Sequence, residues 1–385
     1  MTEPPASTPA STQPLRTVVV EDLESVSCHA AWDALAVELG RPFCAPAWML
    51  SWWRQTRSER TRLRIVLVLD GAQLVGVGPF FAQLGRLGLV EMRLLAAGFC
   101  HRISPMARPG REAEVAVSLA GALAAMRPRP DSVVFEGLDA EDPWPALIAA
   151  AWPAPRAPRL RTDLCMDAPE VQLGGSYEEW FERRERSVRK EARRTARRLE
   201  EENVNGRMCE DEDAIETLMR LHHSRWDTRG GSHVGEEARR VIAQAAGELA
   251  GSGRITVALL EAPDAPVAAE LVVRAGAVAA FWGGGFDPRW ARSAPGTQAI
   301  LFALRALAGQ GVEVADLGGG EHPYKRRLAD GNRPLVWRTL FPRGVRYPLI
   351  RARLAPKQTS IALRGALRHH PAGLRVARAL RRSRA

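Results

Sequence analysis

Apolar positions along this chain switch between two periods. Residues 17–20 and 64–69 are short runs of aliphatic residues that read as strands, and Gly71 turns the second into a hairpin with 74–81. An amphipathic segment at 22–39 and a tryptophan-rich helix at about 46–55 lie between the two runs. Helical spacing returns at 114–126, and a further strand follows at 132–136. The pattern breaks in a proline-rich stretch at 153–158 (PAPRAP) and then starts again.

After the break, 177–202 and 211–226 read as helices, and 255–260 with 266–274 as hairpin strands. A strand at 277–286 (AVAAFWGGGF) leads through the polar loop FDPRWARSAPG into an apolar helix at about 297–308. The short buried strand 311–317 (GVEVADL) leaves through Gly318–Gly320 and turns into a helix at 322–328. The second half thus repeats the kind of order seen in the first, and the fold class expected is α/β (α+β). At 385 residues, with 46% of them hydrophobic, the chain is long enough for two domains that each bury a core. The expected division is a disordered tail at 1–15, units at 16–155 and 156–350, and a basic amphipathic tail at 351–385.

Charge is distributed unevenly. Residues 351–385 hold ten basic residues and no acidic one, so the whole formal net charge of +10 resides there. Leucines, Ile361 and Val376 alternate with these arginines around Pro371, as in one or two basic amphipathic helices, and such segments bind anionic membrane surfaces. No apolar run is long enough to span a bilayer, and residues 1–15 lack the basic start and apolar core of a signal peptide. The five cysteines are odd in number and widely separated, with no CxxC spacing. That argues against a disulfide framework or zinc site and for a cytoplasmic protein, docked through 351–385 at the inner face of the membrane.

Lys325 is the most unusual residue. The chain has 54 Lys and Arg residues, of which only Lys190, Lys325 and Lys357 are lysine. A position needing only positive charge has almost always received arginine, whose planar fork differs from a compact ammonium. Lys325 also adjoins Tyr324, one of three tyrosines, at the end of a strand and glycine turn. Glu270 interrupts an apolar strand (VAAELVV), and a carboxylate facing a core is costly unless paired or protonated. His222, Arg225 and Trp226 share one turn of a helix, where the histidine suits a general base. Between Arg183 and Arg198 nine basic residues surround an apolar stripe, a pattern suited to phosphate oxygens but lacking aromatic stacking residues.

At these residues the chain resembles the GNAT acyltransferase superfamily, in the CelD/BcsL-type branch linked to exopolysaccharide and cellulose production. The residues concerned are the strand into GFDP, SAPGTQ opening a helix, and DLGGG followed by PYK. FCAPAWMLSWW at 43–53, the basic helix at 187–199 and LHHSRW at 221–226 extend the similarity over most of the chain. The resemblance implies tandem GNAT-like domains, each a mixed twisted sheet flanked by helices. It also implies transfer from acetyl-CoA or another acyl-CoA, with no metal, to an amine or hydroxyl of a cell-envelope or polysaccharide-related acceptor.

In that reading Arg292, Ser293, Gly296 and Thr297 hold the donor phosphates at a helix start, where amides lack intrahelical partners. Lys325 and Tyr324 bind phosphate or stabilise developing negative charge, and Glu270 or His222 takes the acceptor's proton. Arg225, Trp226, Asp316 and Glu321 contact substrate. Pro295 departs from the superfamily's glycine at the loop and removes an amide donor. That keeps open the related Fem-type ligases, which take an aminoacyl group from tRNA, and a non-catalytic relative that binds an anionic surface or a polysaccharide synthase. Nucleic acid other than tRNA is not expected as a partner.

Overall fold

Continuous hydrophobic runs in the first unit build a sheet whose central strands are buried on both faces and whose outer strands are exposed. In chain order the elements are β1 (Arg16–Val20), α1 (His29–Glu38), α2 (Pro46–Thr56), β2 (Thr61–Asp70), β3 (Gln73–Leu84), β4 (Val90–Leu94), β5 (Met106–Ala107), α3 (Glu112–Ala125), β6 (Ser132–Asp139) and α4 (Trp144–Ala150). Strands β2 and β3 read as almost continuous buried runs because helices cover both sides of them. The computed structural model describes residues 14–85, 88–153, 157–227, 235–320, 322–344, 346–348 and 350, with only the backbone at 225–227. The expected tail at 351–385, most of that at 1–15 and part of the 153–158 boundary lie outside the described residues.

The remaining elements are β7 (Arg159–Met166), β8 (Pro169–Gln172), α5 (Tyr177–Glu182), α6 (Arg186–Glu201), β9 (Asn205–Cys209), α7 (Glu212–Asp227), α8 (Glu236–Glu248), β10 (Ile255–Glu261), β11 (Pro266–Ala275), β12 (Val278–Phe286), α9 (Pro295–Ala308), β13 (Val314–Asp316), α10 (Pro323–Leu328), β14 (Gly331–Asn332) and β15 (Leu335–Phe341). The first sheet runs β1-β2-β3-β4-β6-β15-β7, with β5 added beside β3, and the second runs β9-β10-β11-β12-β13-β8-β14. Along those two paths every neighbouring pair is antiparallel except one in each sheet, β4 with β6 and β12 with β13. The chain is therefore an α/β protein of two mixed sheets flanked by helices, alike in the order of their first five strands and different in the last two.

The two sheets are stitched together. Met166 opposes Leu335 in the first sheet, and Pro169 opposes Asn332 in the second, so 159–172 and 331–341 form one antiparallel ribbon that crosses between them. Strands β7 and β15, both within 156–350, thus belong to the first sheet. A shared core adds to this, because α7, α8, β10 and β11 contribute Leu218, Ile242, Val257 and Leu271 to the cluster containing Trp32, Trp48 and Phe80. The opposite face of the second sheet packs Trp180, Ile300, Leu304 and Ala315 under α5, α6 and α9.

Two expected helices are shorter than their patterns suggested. The 177–202 stretch is broken into α5 and α6, because Glu185 is extended (φ −52°, ψ 143°). Trp180 fixes the first piece: its fully buried ring donates from Nε1 to Asp330 Oδ2 (2.9 Å), which also pairs with Arg184. Burying such a ring removes on the order of 200 Å² from water, worth about 5 kcal/mol before entropy is counted. The 22–39 segment is helical only over α1, after a single 3₁₀ turn at Leu23–Ser25.

Candidate active site

The site is built where two parallel strands part. Strands β12 and β13 pair from Val278–Val314 to Ala280–Asp316, after which β12 runs on while the other chain turns away through Gly318 (φ +76°) and Gly320 (φ +110°). The ladder with β11 also skips here: Val272 opposes Phe281 and Leu271 opposes Gly283, leaving Trp282 as the extra residue of a β-bulge. A cavity of about 250 Å³ lies in the split. It brings together five residues singled out from sequence: His222, Glu270, Asp316, Tyr324 and Lys325.

Three consecutive glycines make room for two of them. A Cβ on Gly284 would lie 2.1 Å from the carboxyl of Glu270, and one on Gly285 would lie 2.2 Å from the backbone nitrogen of His222. Glu270, only 5% exposed, therefore lays its carboxyl across bare backbone, and α7 packs directly on the strand. His222 Nδ1 sits 3.2 Å from the Gly284 carbonyl, which can only accept, so in this contact Nδ1 carries the hydrogen and Nε2 is the basic nitrogen.

The first unit supplies a wall of which the sequence pointed only to Phe43. Phe43, Phe99, Cys100 and His101 line the cavity, and Trp282 Nε1 donates to the Phe99 carbonyl (2.8 Å) across the interface. Burial pushes the His101 imidazole below its ordinary value, against the pull of the Asp316 carboxylate, with Arg102 and Lys325 adding to the depression. His101 is thus neutral at neutral pH. In the sequence this wall shows only as Phe43, which opens the aromatic motif at 43–53, and as a polar His-Arg pair closing an apolar loop (AAGFCHR).

Asp316 holds structure rather than facing the cavity with a spare oxygen. Its Oδ2 accepts from Arg102 Nε (2.6 Å) and its Oδ1 from the Gly318 amide (2.9 Å). Arg102 also pairs with Asp139, which binds Arg41 and Arg333, and Arg333 continues to Glu170 (2.8 Å). This network ties the two units beneath the site. Asp142 at its edge has its carboxyl pushed up by burial, against the opposing pull of Arg41. Lys325 donates from Nζ to the carbonyls of Gly318 and Gly319 (3.2 Å each), so the rare lysine clasps the glycine turn at the cavity rim. Tyr324 stacks on His322 with ring centres 5.8 Å apart.

Arg292, Ser293, Gly296 and Thr297 sit apart from this cavity, at the start of α9. Ala294 adopts a left-handed conformation (φ +46°), and both Thr297 and Gln298 turn their amides onto its carbonyl (3.0 and 3.1 Å). With Pro295 lacking an amide, Gly296 keeps the amide most open to a ligand. A smaller cavity of about 120 Å³ joins Ala294 and Thr297 to Tyr324, which thus borders both spaces. The side chains of Arg225 and Trp226, and Glu321, lie outside the described residues. A wider groove of about 430 Å³ between α5, α6 and α9 has an apolar floor, and its rim charges pair with each other, Arg193 with Glu182 and Arg305 with Glu178.

Residues 186–326 match the model of a family described as an acetyltransferase (GNAT) domain. Among solved structures the chain is similar to FemX, with 9% identity and a TM-score of 0.59 over 78% of this chain and 92% of that one. A conserved protein of unknown function from Bacteroides thetaiotaomicron matches at 12% identity and a TM-score of 0.55, over 84% of this chain and 100% of the other. The C-terminal domain of a protein named as a lysylphosphatidylglycerol synthetase from Agrobacterium fabrum matches at 11% identity and a TM-score of 0.50, over 86% and 95%. No curated protein matches in sequence. At these identities the neighbours share the fold.

Proposed function

We propose that this chain is an acyltransferase that moves an acyl group, acetyl in the first instance, from acyl-CoA to an amine or hydroxyl of a cell-envelope or polysaccharide-related acceptor. The observation that carries this reading is the buried Glu270 carboxylate facing an open strand split beside a β-bulge. The acceptor nitrogen or oxygen attacks the thioester carbonyl carbon, and a backbone amide at the Trp282 bulge polarises the carbonyl oxygen. The new C–N or C–O bond forms, the C–S bond breaks, and coenzyme A leaves as its thiolate, which then takes up the proton that the base has removed from the acceptor. The acceptor's proton passes to Glu270, or to Nε2 of His222.

Arg292, Ser293, Thr297 and the Gly296 amide hold the donor phosphates, and Lys325 keeps the glycine turn shaped around the reacting groups. Arg225, Trp226 and Glu321 serve the substrate in this reading. A second donor, an aminoacyl ester of tRNA, is favoured by one observation: the α9 start offers few open amides for a pyrophosphate. As a further part of the reading, residues 351–385 dock the protein on an anionic inner leaflet. Their deletion should abolish sedimentation with anionic vesicles, and unchanged sedimentation would remove that part alone.

The test of the donor is the unfolding midpoint with and without acetyl-CoA, set against desulfo-CoA, followed by thiol release with amine and hydroxyl acceptors. Saturation at about 100 times the dissociation constant adds about 2.7 kcal/mol to the native state. A rise with acetyl-CoA and thiol release supports the first reading. No rise with acetyl-CoA, but a rise with aminoacyl-tRNA, selects the second. A rise without thiol release from any acyl-CoA would leave a binding protein.

A further inference from the structure

Strand β1 ends the first sheet and pairs only with β2, so its outer edge is open among the described residues. Natural edge strands are usually blunted by lysine, proline or a bulge, and β1 (RTVVV) pairs with β2 in an unbroken register and carries neither residue. Two of the four exposed large hydrophobic residues among the described residues meet here: Val19 on β1 is 38% exposed, and Val117 on α3 is 60% exposed. Both border one groove of about 560 Å³, with Gly121, Ala122 and Ala125 along the helix side. Val19 opposes Val66 in the ladder and faces α3, so the open edge and the apolar helix face form one surface.

We infer that this surface binds a second copy of the chain, with the two β1 edges pairing antiparallel into one continuous sheet. The argument is self-complementarity of shape and charge. Side chains alternate faces along a strand, so a two-fold axis normal to the sheet can oppose only residues of like parity. With Val19 on the axis, Val18 faces Val20 of the other copy, Thr17 faces Glu21 and Arg16 faces Asp22. The backbone supports this reach, because it is still extended at Asp22 (φ −130°, ψ 140°). A shift that puts Val20 on the axis sets Val18 against Asp22 and Val19 against Glu21. A shift that puts Val18 on it sets Arg16 against Val20. Only the register centred on Val19 pairs the cation with an anion at both ends while joining valine to valine. The same axis brings both α3 helices to one side, where their Val117 side chains close the two grooves.

The proposal does not depend on the acyltransferase reading, and its test needs no substrate. Light scattering behind a sizing column, over a wide concentration range, should show a dimer. Val19→Asp and Val117→Glu should each halve the measured mass without changing the circular dichroism spectrum. In a Cys165→Ser background, Val19→Cys should oxidise to a covalent dimer, since that residue meets its own copy on the axis, while Val18→Cys should not. A monomer at every concentration overturns the proposal, and so does a dimer indifferent to Val19→Asp and Val117→Glu. If the full chain is monomeric but becomes dimeric when residues 351–385 are deleted, the chain's own terminus occupies the groove, and the second-copy assignment fails.

Discussion

In both sheets the first five strands follow one another in chain order, with the parallel pair at the fourth and fifth places, yet one split is solid and the other is open. In the first sheet, β4 and β6 pair from Glu91–Ser132 to Arg93–Val134. Beyond that point fully buried Phe80 and Phe135 meet edge to face at 6.4 Å, Leu94 and Leu95 fill the remaining space, and Arg93 is closed off by Glu136 and Gln83. In the second sheet the matching region carries Gly283 to Gly285 and Glu270, and a cavity stands where the first has rings. Topology alone therefore does not make a site. Side-chain volume decides, since a packed interior leaves no space larger than a solvent molecule unless small residues are placed to keep it.

The largest expected effect lies at the two glutamates of the two splits. Glu270→Gln should retain the fold and lower turnover by about 10²–10⁴, the usual worth of a general base, whereas Glu136→Gln should leave turnover unchanged. Equal activity of both variants in a thiol-release assay would end the assignment of the second split as the reacting one. Next comes the network under the open split. Arg102→Met strands Asp139 and Asp316 without their shared partner, and denaturant unfolding should record a loss of about 3–5 kcal/mol.

Filling the open split is the third test. Gly285→Ala drives a methyl group into the backbone of α7 and should destabilise by about 1–3 kcal/mol while lowering activity; an unchanged midpoint would mean that α7 does not need that approach. The smallest effect is the pH dependence of His101. Its folded value is depressed, so in acid the unfolded chain binds more protons than the native one. Stability contributed by the neutral ring is complete above its unfolded value near 6.5 and is lost as pH falls below it, at no more than about 1.4 kcal/mol per pH unit. His101→Gln should flatten the unfolding midpoint across that range, and an unaltered slope would assign it elsewhere.

Local pattern made much of this legible. The strand at 277–286, the glycine exit after Asp316 and the apolar helix before it were readable because periodicity and glycine act within a few residues, and the structure has them at Val278–Phe286, Gly318 and Pro295–Ala308. Glu270 was conspicuous as a lone carboxylate in an apolar strand. The partners that define the site were not legible, because they come from far along the chain. Phe99 and His101 reach it from the first unit, and Arg102 takes the Asp316 carboxylate across 214 positions of sequence. Nothing local to 335–341 announces that it will lie between β6 and β7.

That last strand sets a condition on synthesis. Domains ordinarily fold as they emerge, N-terminal first. A nascent chain that has reached residue 330 holds β6 and β7 with the place between them empty, since among the described residues only β15 bridges them. The first unit must therefore wait, with β6 unpaired on one side, until residues 335–341 have left the ribosome. Any deletion of 335–341 would cost the first sheet its seam, although those residues lie far along the chain from most of that sheet.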